Sequence, residues 1–340
     1  MGLTKQERFS TVLSGKTADR PLVSGWHHFL DKEHTAKDLA EATVAFQKKY
    51  DWDWIKINPR ATYLAEAFGN EYDFSDYEWV FPKITKVQIN TPEKLAELKL
   101  VDIATNPYLQ EQIEVVKQLK KEIPEVPLAP TVFSPLSILL FLIGNHSYVN
   151  QTWYGSEKPL DFKELLETHR SEVHRALHVI AMGIAEFVSE LESLGTEGLF
   201  YATTGTIHPE LFSEEEFNEF SRPYDLIVLH AVKANGRILH TCGSYAKPEF
   251  FNDYPAEAIS WDPDEEGNPA ISTDTFSKVK IAGVDHHIFD ENHVEEIQKQ
   301  AKEALDANEG QPFSLAPNCA VNPDASEKAL TALREAIQTV

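Results

Sequence analysis

The sequence has few of the residues on which several large classes of protein depend. Two cysteines among 340 residues are too few for a disulfide framework. Lys and Arg number 31 against 54 Asp and Glu, and the net charge of −23 disfavours a nucleic acid or an anionic membrane as partner. The longest apolar run, residues 136–143, is too short to cross a bilayer. The N-terminus lacks the apolar run of a signal peptide, so we expect a cytoplasmic protein.

The two cysteines lie in informative surroundings. His240 and Cys242 end an apolar run, and residues two apart in a strand project to the same face. Cys319 closes another short apolar run. One His and two Cys form a ligand set that suits zinc and leaves a coordination position open for chemistry. We predict a zinc site at these three residues. The alternatives are a disulfide between the cysteines, or inert buried cysteines beside a core histidine.

Short β-type runs alternate with helical patterns along the chain. The runs cover residues 22–26, 54–57, 128–132, 198–202, 237–240, 258–261, 279–284 and 312–315. Helical patterns cover residues 36–49, 173–191, 214–234, 293–305 and 326–339. Eight such units predict an α/β protein of the (β/α)8 TIM-barrel class, with residues 1–340 as one domain. A doubly wound sheet is the second choice, but the chain has no Gly-x-Gly-x-x-Gly motif after a strand.

Two segments add to this repeating pattern. Thr4 and Glu7 fit a capping box, which predicts an N-terminal helix that continues through Leu13. Residues 70–125, after the second strand, are too many for one βα unit and include many aromatic residues. We expect an inserted hairpin-like flap and a helix at residues 107–121 that cover the barrel mouth. Peripheral decoration is the alternative.

In a barrel of this class the active site lies at the carboxyl ends of the strands. Lys56 and Arg60 lie at the end of the second strand of an acidic chain, and we expect them to bind an anionic group of the substrate. For Arg60, the alternative is a salt bridge with Asp51 or Glu66. Further candidates for substrate binding at strand ends are His28, Asp262 and His286.

Several segments resemble the uroporphyrinogen decarboxylase superfamily, and the resemblance extends over nearly the whole chain. They are Glu7-Arg8-Phe9, Leu13-Ser14-Gly15-Lys16, Asp19-Arg20-Pro21, Trp261-Asp262 and Asn322-Pro323-Asp324. The resemblance implies a (β/α)8 barrel, in agreement with the alternation of strands and helices. One branch of the superfamily consists of metal-free decarboxylases. The other consists of cobamide-dependent methyltransferases that bind zinc.

The positions that the decarboxylase branch uses hold other residue types here. Residues 25–29, Gly-Trp-His-His-Phe, stand where those enzymes have an arginine-rich stretch. Arg60 replaces their aspartate, Phe141 their barrel tyrosine and Cys319 their last histidine. The residues that would handle a porphyrinogen are therefore missing.

The zinc branch has a His-x-Cys motif and a distant Cys, which His240, Cys242 and Cys319 match in type, order and location. The resemblance implies that these residues hold zinc and that zinc activates a thiol, with no separate protein nucleophile. It also implies a corrinoid-binding protein as partner and a small molecule as methyl acceptor. The acceptor is either a thiol, for which we expect an anionic group, or a pterin. A homodimer is compatible with this interpretation. The alternatives are a uroporphyrinogen decarboxylase-like lyase of porphyrin metabolism and a non-catalytic barrel that binds a small molecule.

Overall fold

The structure is a computed structural model that describes residues 2–338. In chain order, the strands are β1 (Leu22–Val23), β2 (Ile55–Ile57), β3 (Glu71–Glu78), β4 (Phe81–Lys86), β5 (Leu128–Phe133), β6 (Leu199–Thr204), β7 (Arg237–Thr241), β8 (Ala258–Ser260), β9 (Val279–Val284) and β10 (Phe313–Pro317). Eight of them form one parallel sheet, and β3 and β4 form a separate antiparallel hairpin.

The parallel sheet has the strand order of a barrel. The order is β1-β10-β9-β8-β7-β6-β5-β2, so each strand lies beside its neighbour in the chain and the first strand pairs with the last. At the two ends of this order, the N–H of Asp53 donates to the carbonyl of Val23 (3.0 Å) and the hydroxyl of Ser24 to the carbonyl of Trp54 (2.8 Å). These bonds join β1 to the segment that enters β2. The predicted TIM-barrel fold is confirmed.

Helices surround the sheet. They are α1 (Lys5–Leu13), α2 (Ala36–Tyr50), α3 (Tyr63–Ala67), α4 (Lys94–Glu97), α5 (Pro107–Glu122), α6 (Pro135–Leu142), α7 (Phe162–Thr168), α8 (Arg170–Ser193), α9 (Glu214–Phe220), α10 (Arg222–Ala231), α11 (Val294–Ala307) and α12 (Glu327–Glu335). Short 3₁₀ turns occur at Pro248–Phe251, His286–Ile288 and Ala336–Gln338. In the described part of the chain, no helix combines the length and apolar character needed to cross a membrane.

Most predicted helices are present, and the differences have local causes. The capping box of Thr4 and Glu7 begins α1 as predicted. The helix predicted at 214–234 is two helices that meet at Ser221, because Pro223 has no N–H to continue the hydrogen-bond ladder. In place of the helix predicted at 326–339, the structure has helix α12 followed by a 3₁₀ turn. The last predicted residue, Thr339, lies outside the described residues.

The N-terminal helix closes the amino-terminal end of the barrel. Phe9 of α1 packs against Trp54, with ring centroids 6.0 Å apart, and both belong to the apolar cluster inside the sheet. The indole of Trp54 in turn donates to the hydroxyl of Ser314 on β10 (3.2 Å). With this end filled, the carboxyl ends of the strands are the face on which a site can form.

The segment after β2 has two parts. The hairpin of β3 and β4 carries Trp79, Val80 and Phe81 at its tip, and these three residues line a cavity at the carboxyl ends of the strands. The helix expected at residues 107–121 is α5, which packs against α2 and leads into β5. Helix α5 therefore takes the place of the barrel helix between β2 and β5, and only the residues before it depart from the βα repeat.

Candidate metal centre

The three predicted ligands meet at the carboxyl ends of β7 and β10. The Nε2 atom of His240 lies 3.8 Å from the Sγ atom of Cys319, which lies 3.4 Å from the Sγ atom of Cys242. All three ligand atoms lie within 4.8 Å of one another. Ligands bound tetrahedrally at 2.0–2.3 Å from a zinc ion are separated by roughly 3.3–3.8 Å. The donor types and their spacing therefore fit a zinc ion.

A hydrogen bond from the neighbouring strand orients His240. Ser260 ends β8 directly opposite His240 in the strand register, and its Oγ atom lies 3.0 Å from His240 Nδ1. Because Nδ1 is occupied by this bond, Nε2 is the nitrogen that faces the thiols. Partners of this kind fix the tautomer and direction of metal-binding histidines.

The two thiols are free, so the disulfide alternative is not realised. Their sulfur separation of 3.4 Å is well beyond the roughly 2.05 Å of a covalent bond. The hydrogen bond from Cys242 lowers the pKa of Cys319 against the effect of burial, and the N–H of Ala320 and the Lys56 ammonium lower it further. That same bond, together with burial, raises the pKa of Cys242. A thiolate is therefore stabilised first at Cys319.

A distorted strand end supports Cys242. Thr204, the last residue of β6, has a φ of 54° and lies beside a register shift between β6 and β7. This conformation is strained for a β-branched residue, and such strain clusters at functional sites. The carbonyl of Thr204 accepts a hydrogen bond from the N–H of Cys242 (3.0 Å). At the next residue, a Cβ on Gly205 would lie 2.6 Å from Tyr148 Cδ1, so glycine is needed where the Tyr148 ring is seated.

The ligand residues open into a cavity of about 100 Å³ that the hairpin tip covers. His240, Cys319 and Lys56 are among the residues that line it. The Lys56 ammonium lies 4.8 Å from the ring centre of Phe200 and hydrogen-bonds Asn58. Burial lowers the pKa of Lys56 to about 7, against the effect of the two thiols. Lys56 therefore lines the cavity, and its role in substrate binding stays a prediction.

His28 also lines the cavity, whereas the adjacent His27 packs among aromatic rings. The Nδ1 atom of His28 lies 3.0 Å from Glu33 Oε2, and the Glu33 carboxylate is fully buried. Burial lowers the pKa of His27, in keeping with its apolar surroundings. The pairing of His28 with Glu33 holds the histidine ring in one orientation at the cavity wall.

Asp262 and His286 form a pair next to the cysteines. His286 Nδ1 lies 3.2 Å from Asp262 Oδ2, and Asn318 donates to Asp262 Oδ1 (2.9 Å). Burial alone would lower the pKa of His286. The hydrogen bond and charge of Asp262 outweigh this effect, so the pKa of His286 is raised, with a smaller contribution from Cys242. Neither member of the pair is among the residues that line the cavity.

Arg60 is placed differently from the expectation that it faces the cavity. Its Nε atom donates to Glu66 Oε2 (2.6 Å), and its Nη1 atom donates to Glu111 and to the carbonyl of Glu33 (3.1 Å). The side chain is 4% exposed and does not line the cavity. The arrangement corresponds to the predicted alternative, an ion pair with Glu66, because the Nε and Nη1 atoms donate to partners that do not line the cavity. We therefore do not assign Arg60 to the substrate.

Three cavity residues were missed from the sequence. His146, Ser147 and Tyr148 follow helix α6, which is buried along its whole length, and all three line the cavity. The phenol of Tyr148 interacts with Cys242, and burial together with the cysteines raises the pKa of Tyr148. The available signal was a polar and aromatic triplet directly after the most apolar run of the chain.

The comparisons with known proteins agree with this fold. The family model described as Uroporphyrinogen decarboxylase (URO-D) matches residues 4–340. A solved structure described as "methyltransferase from Methanosarcina mazei" has a TM-score of 0.78 and 17% identity, with 99% of each chain covered. A B12-independent methionine synthase from Shewanella sp. W3-18-1 has a TM-score of 0.55 and 14% identity, with 89% of this chain and 87% of that chain covered. A putative one from Listeria monocytogenes has a TM-score of 0.52 and 16% identity, with 89% and 85% covered.

At these identities, likeness to solved structures shows the fold. A search among curated proteins finds no significant match. The family model covers nearly the full length, including all the residues that build the barrel and the ligand cluster. The chain therefore belongs to the uroporphyrinogen decarboxylase (URO-D) family.

Proposed function

We propose that this protein is a zinc-dependent methyltransferase that moves a methyl group between a corrinoid protein and a small thiol or pterin. The observation that carries the proposal is the convergence of His240, Cys242 and Cys319 at the strand ends, at spacings that suit zinc. The similar structures described as a methyltransferase and as B12-independent methionine synthases add support for methyl transfer only. The corrinoid partner rests on the resemblance of the His-x-Cys motif and the distant Cys to the cobamide-dependent branch. Bound zinc would lower the pKa of a thiol acceptor.

Three residues around the ligand cluster have separate roles in this proposal. Ser260 holds His240 in the tautomer that ligates through Nε2. In its protonated form, Lys56 places a positive charge in a largely apolar cavity, and this charge suits an anionic group or a developing thiolate. His28, held by Glu33, is placed at the cavity wall to take the proton that the acceptor loses.

The electron and proton balance of the proposed transfer is simple. With a thiol acceptor, a sulfur–carbon bond forms as the cobalt–carbon bond of the partner protein breaks. The bonding electron pair stays on cobalt, and the thiol proton passes to His28 and then to solvent. The hairpin tip with Trp79, Val80 and Phe81 restricts water around the reacting groups.

The decarboxylase alternative finds less support in the cavity. A porphyrinogen carries several carboxylates on four linked rings, and its binding needs several basic side chains. In the described chain, Lys56 is the one Lys or Arg among the cavity-lining residues, and the space is about 100 Å³. Phe141, at the position of the decarboxylase tyrosine, adds an apolar ring to the same wall.

The test is metal analysis combined with methyl transfer. We expect about one zinc per chain in the purified protein, and loss of most of it in Cys242→Ala, since a soft ligand is removed. Methyl transfer from methylcobalamin to a small thiol should fall in parallel.

A matched control tests whether zinc binds at this cluster or at a second group of residues whose side chains could bind a metal. Asp285, His286 and His287 also bring three ligand atoms together, but they are consecutive residues and His287 is mostly exposed. The variant His287→Ala should keep its zinc. Full zinc retention in a Cys242→Ala/Cys319→Ala double variant, or zinc loss in His287→Ala alone, would refute the assignment.

A further inference from the structure

Two asparagines lie beside the residues that carry the thiols. Asn318 directly precedes Cys319 and is 1% exposed. Asn268 lies in the segment after β8, and its Nδ2 atom donates to the carbonyl of Gly243, the residue after Cys242 (2.9 Å). Each asparagine is therefore attached to the chain directly next to one cysteine.

The two asparagines share one anchor, Asp262, which is the second residue after β8. The Nδ2 atom of Asn318 donates to Asp262 Oδ1 (2.9 Å), and that of Asn268 donates to the backbone carbonyl of Asp262 (2.8 Å). Asp262 is itself buried, and its Oδ1 atom also accepts from the N–H of Asp264 (2.9 Å). The chain beside each cysteine is thereby tied to the end of β8.

Further hydrogen bonds fix Asn318. Its Nδ2 atom also donates to Asp264 Oδ2 (3.0 Å), and its Oδ1 atom accepts from the N–H of Gly283 on β9 (2.8 Å). The backbone N–H of Asn318 donates to the carbonyl of Val284 (2.8 Å). Both donors of the side-chain amide are therefore used, and the residue joins the ends of β8, β9 and β10.

The positions of the cysteines make such connections important. Cys242 follows β7 and Cys319 follows β10, and in the sheet that the described residues form, β8 and β9 lie between these two strands. The two sulfur atoms nevertheless lie 3.4 Å apart. Their relative position therefore depends on contacts between the segments that follow the strands. Hydrogen bonds from residues outside the ligand set commonly hold metal ligands in a fixed geometry.

We propose that Asn268 and Asn318 are positioning residues for the zinc ligands, with Asp262 as their shared anchor. Together they hold Cys242 and Cys319 at the separation that a bound zinc ion requires. The asparagines act through the cysteines, since in the described chain none of the three network residues lines the cavity. This inference rests on the proposed function, because it requires that the cysteines bind zinc.

The experiment measures zinc affinity by competition with a chelator, and the thiolate-to-metal absorption of the Co(II)-substituted protein. Asn318→Asp keeps the shape of the side chain but sets a carboxylate against Asp262 and Asp264. Asn268→Ala removes its two donated bonds without a change of charge. Each variant should weaken zinc about 10- to 100-fold and shift or reduce the Co(II) absorption.

A compensating variant and a matched control separate positioning from general stability. In Asn318→Asp/Asp264→Asn, the amide at position 264 can donate to the carboxylate at position 318, so zinc affinity should recover several-fold over Asn318→Asp. Asn308→Ala removes another buried asparagine, which donates to the carbonyl of Ala304 at the end of α11 (2.8 Å). It should leave zinc affinity and Co(II) absorption unchanged, and urea unfolding of the same preparations measures stability separately.

The outcomes separate this inference from the proposed function. Wild-type zinc affinity and absorption in Asn268→Ala overturn the inference, even if the Asn318 variants do not fold. Equal affinities of Asn318→Asp and the double variant overturn it as well, as does a loss in Asn308→Ala as large as that in Asn268→Ala. In each of these cases zinc still binds to wild type, and the proposed function stands. Wild type that binds neither zinc nor Co(II) overturns the metal centre and the inference together.

Discussion

The first prediction tests whether Arg60 stabilises the fold through its ion pairs or contacts the substrate. The variant Arg60→Met removes the charge but keeps a side chain of similar length. It leaves Glu66, which is 4% exposed, and Glu111, which is 17% exposed, without their basic partner. The carbonyl of Glu33 also loses a donor. The expected consequence is a loss of stability, with no direct effect on the ligand cluster.

The size of the loss follows from burial. Removing one member of a buried ion pair costs about 3–5 kcal/mol, because the remaining charge stays desolvated. Burial raises the pKa of Glu111, and Arg60 opposes this rise. Without Arg60, Glu111 binds a proton more readily, and a raised folded-state pKa means that stability is gained as pH falls. The deficit should therefore be largest near neutral pH and shrink as pH falls towards the ordinary carboxyl range, near 4.5.

The assay is urea unfolding at pH 7 and at pH 5, combined with metal analysis. The matched control is Lys83→Met, which removes an exposed ion pair with Asp76 on the hairpin and should leave the free energy of unfolding nearly unchanged. The reasoning is refuted if Arg60→Met costs as little as the control. It is also refuted if the variant unfolds normally but loses affinity for an anionic thiol, since Arg60 would then contact the substrate.

Two further predictions concern a ligand-orienting residue and a buried acid. Ser260→Ala should weaken zinc about 10- to 100-fold in competition with a chelator. Ser24→Ala, which removes another fully buried serine hydrogen bond at the sheet, should leave zinc affinity unchanged; equal affinities in the two variants would contradict the role of Ser260. Burial raises the pKa of Asp225 to about 6 despite hydrogen bonds from Tyr201 and Tyr254, so its ionisation destabilises the fold as pH rises. Between pH 4 and 7, wild type should lose about 2 kcal/mol of unfolding free energy that Asp225→Asn does not lose; parallel pH profiles in urea unfolding would exclude this effect.

The barrel and the ligand cluster were accessible from local patterns. Alternating β-type runs and helical patterns depend on short-range periodicity, so the eight-strand barrel could be predicted and was confirmed. In a parallel barrel the carboxyl ends of all strands face the same way. His240, Cys242 and Cys319 could therefore be placed together although 77 residues separate the two cysteines.

What the sequence could not decide was which neighbours a side chain meets across the fold. Lys56 lies in β2 and Arg60 three residues after it, yet Arg60 pairs with carboxylates of α3 and α5 and Lys56 reaches the cavity. No local pattern distinguishes them, because the difference lies in partners brought up by separate helices. His146 was missed for the same reason: its ring becomes part of the cavity only when the hairpin and α6 enclose it.

The sequence by itself therefore determined the fold class and the chemistry of the ligand set, since both depend on residue type and spacing. The tertiary structure alone decided how the cavity is built: which basic side chain lines it, and how much space the hairpin leaves. The physical reason is that burial and pairing are set by contacts between distant segments. These contacts change the charge and hydrogen-bonding state of a residue without changing its identity.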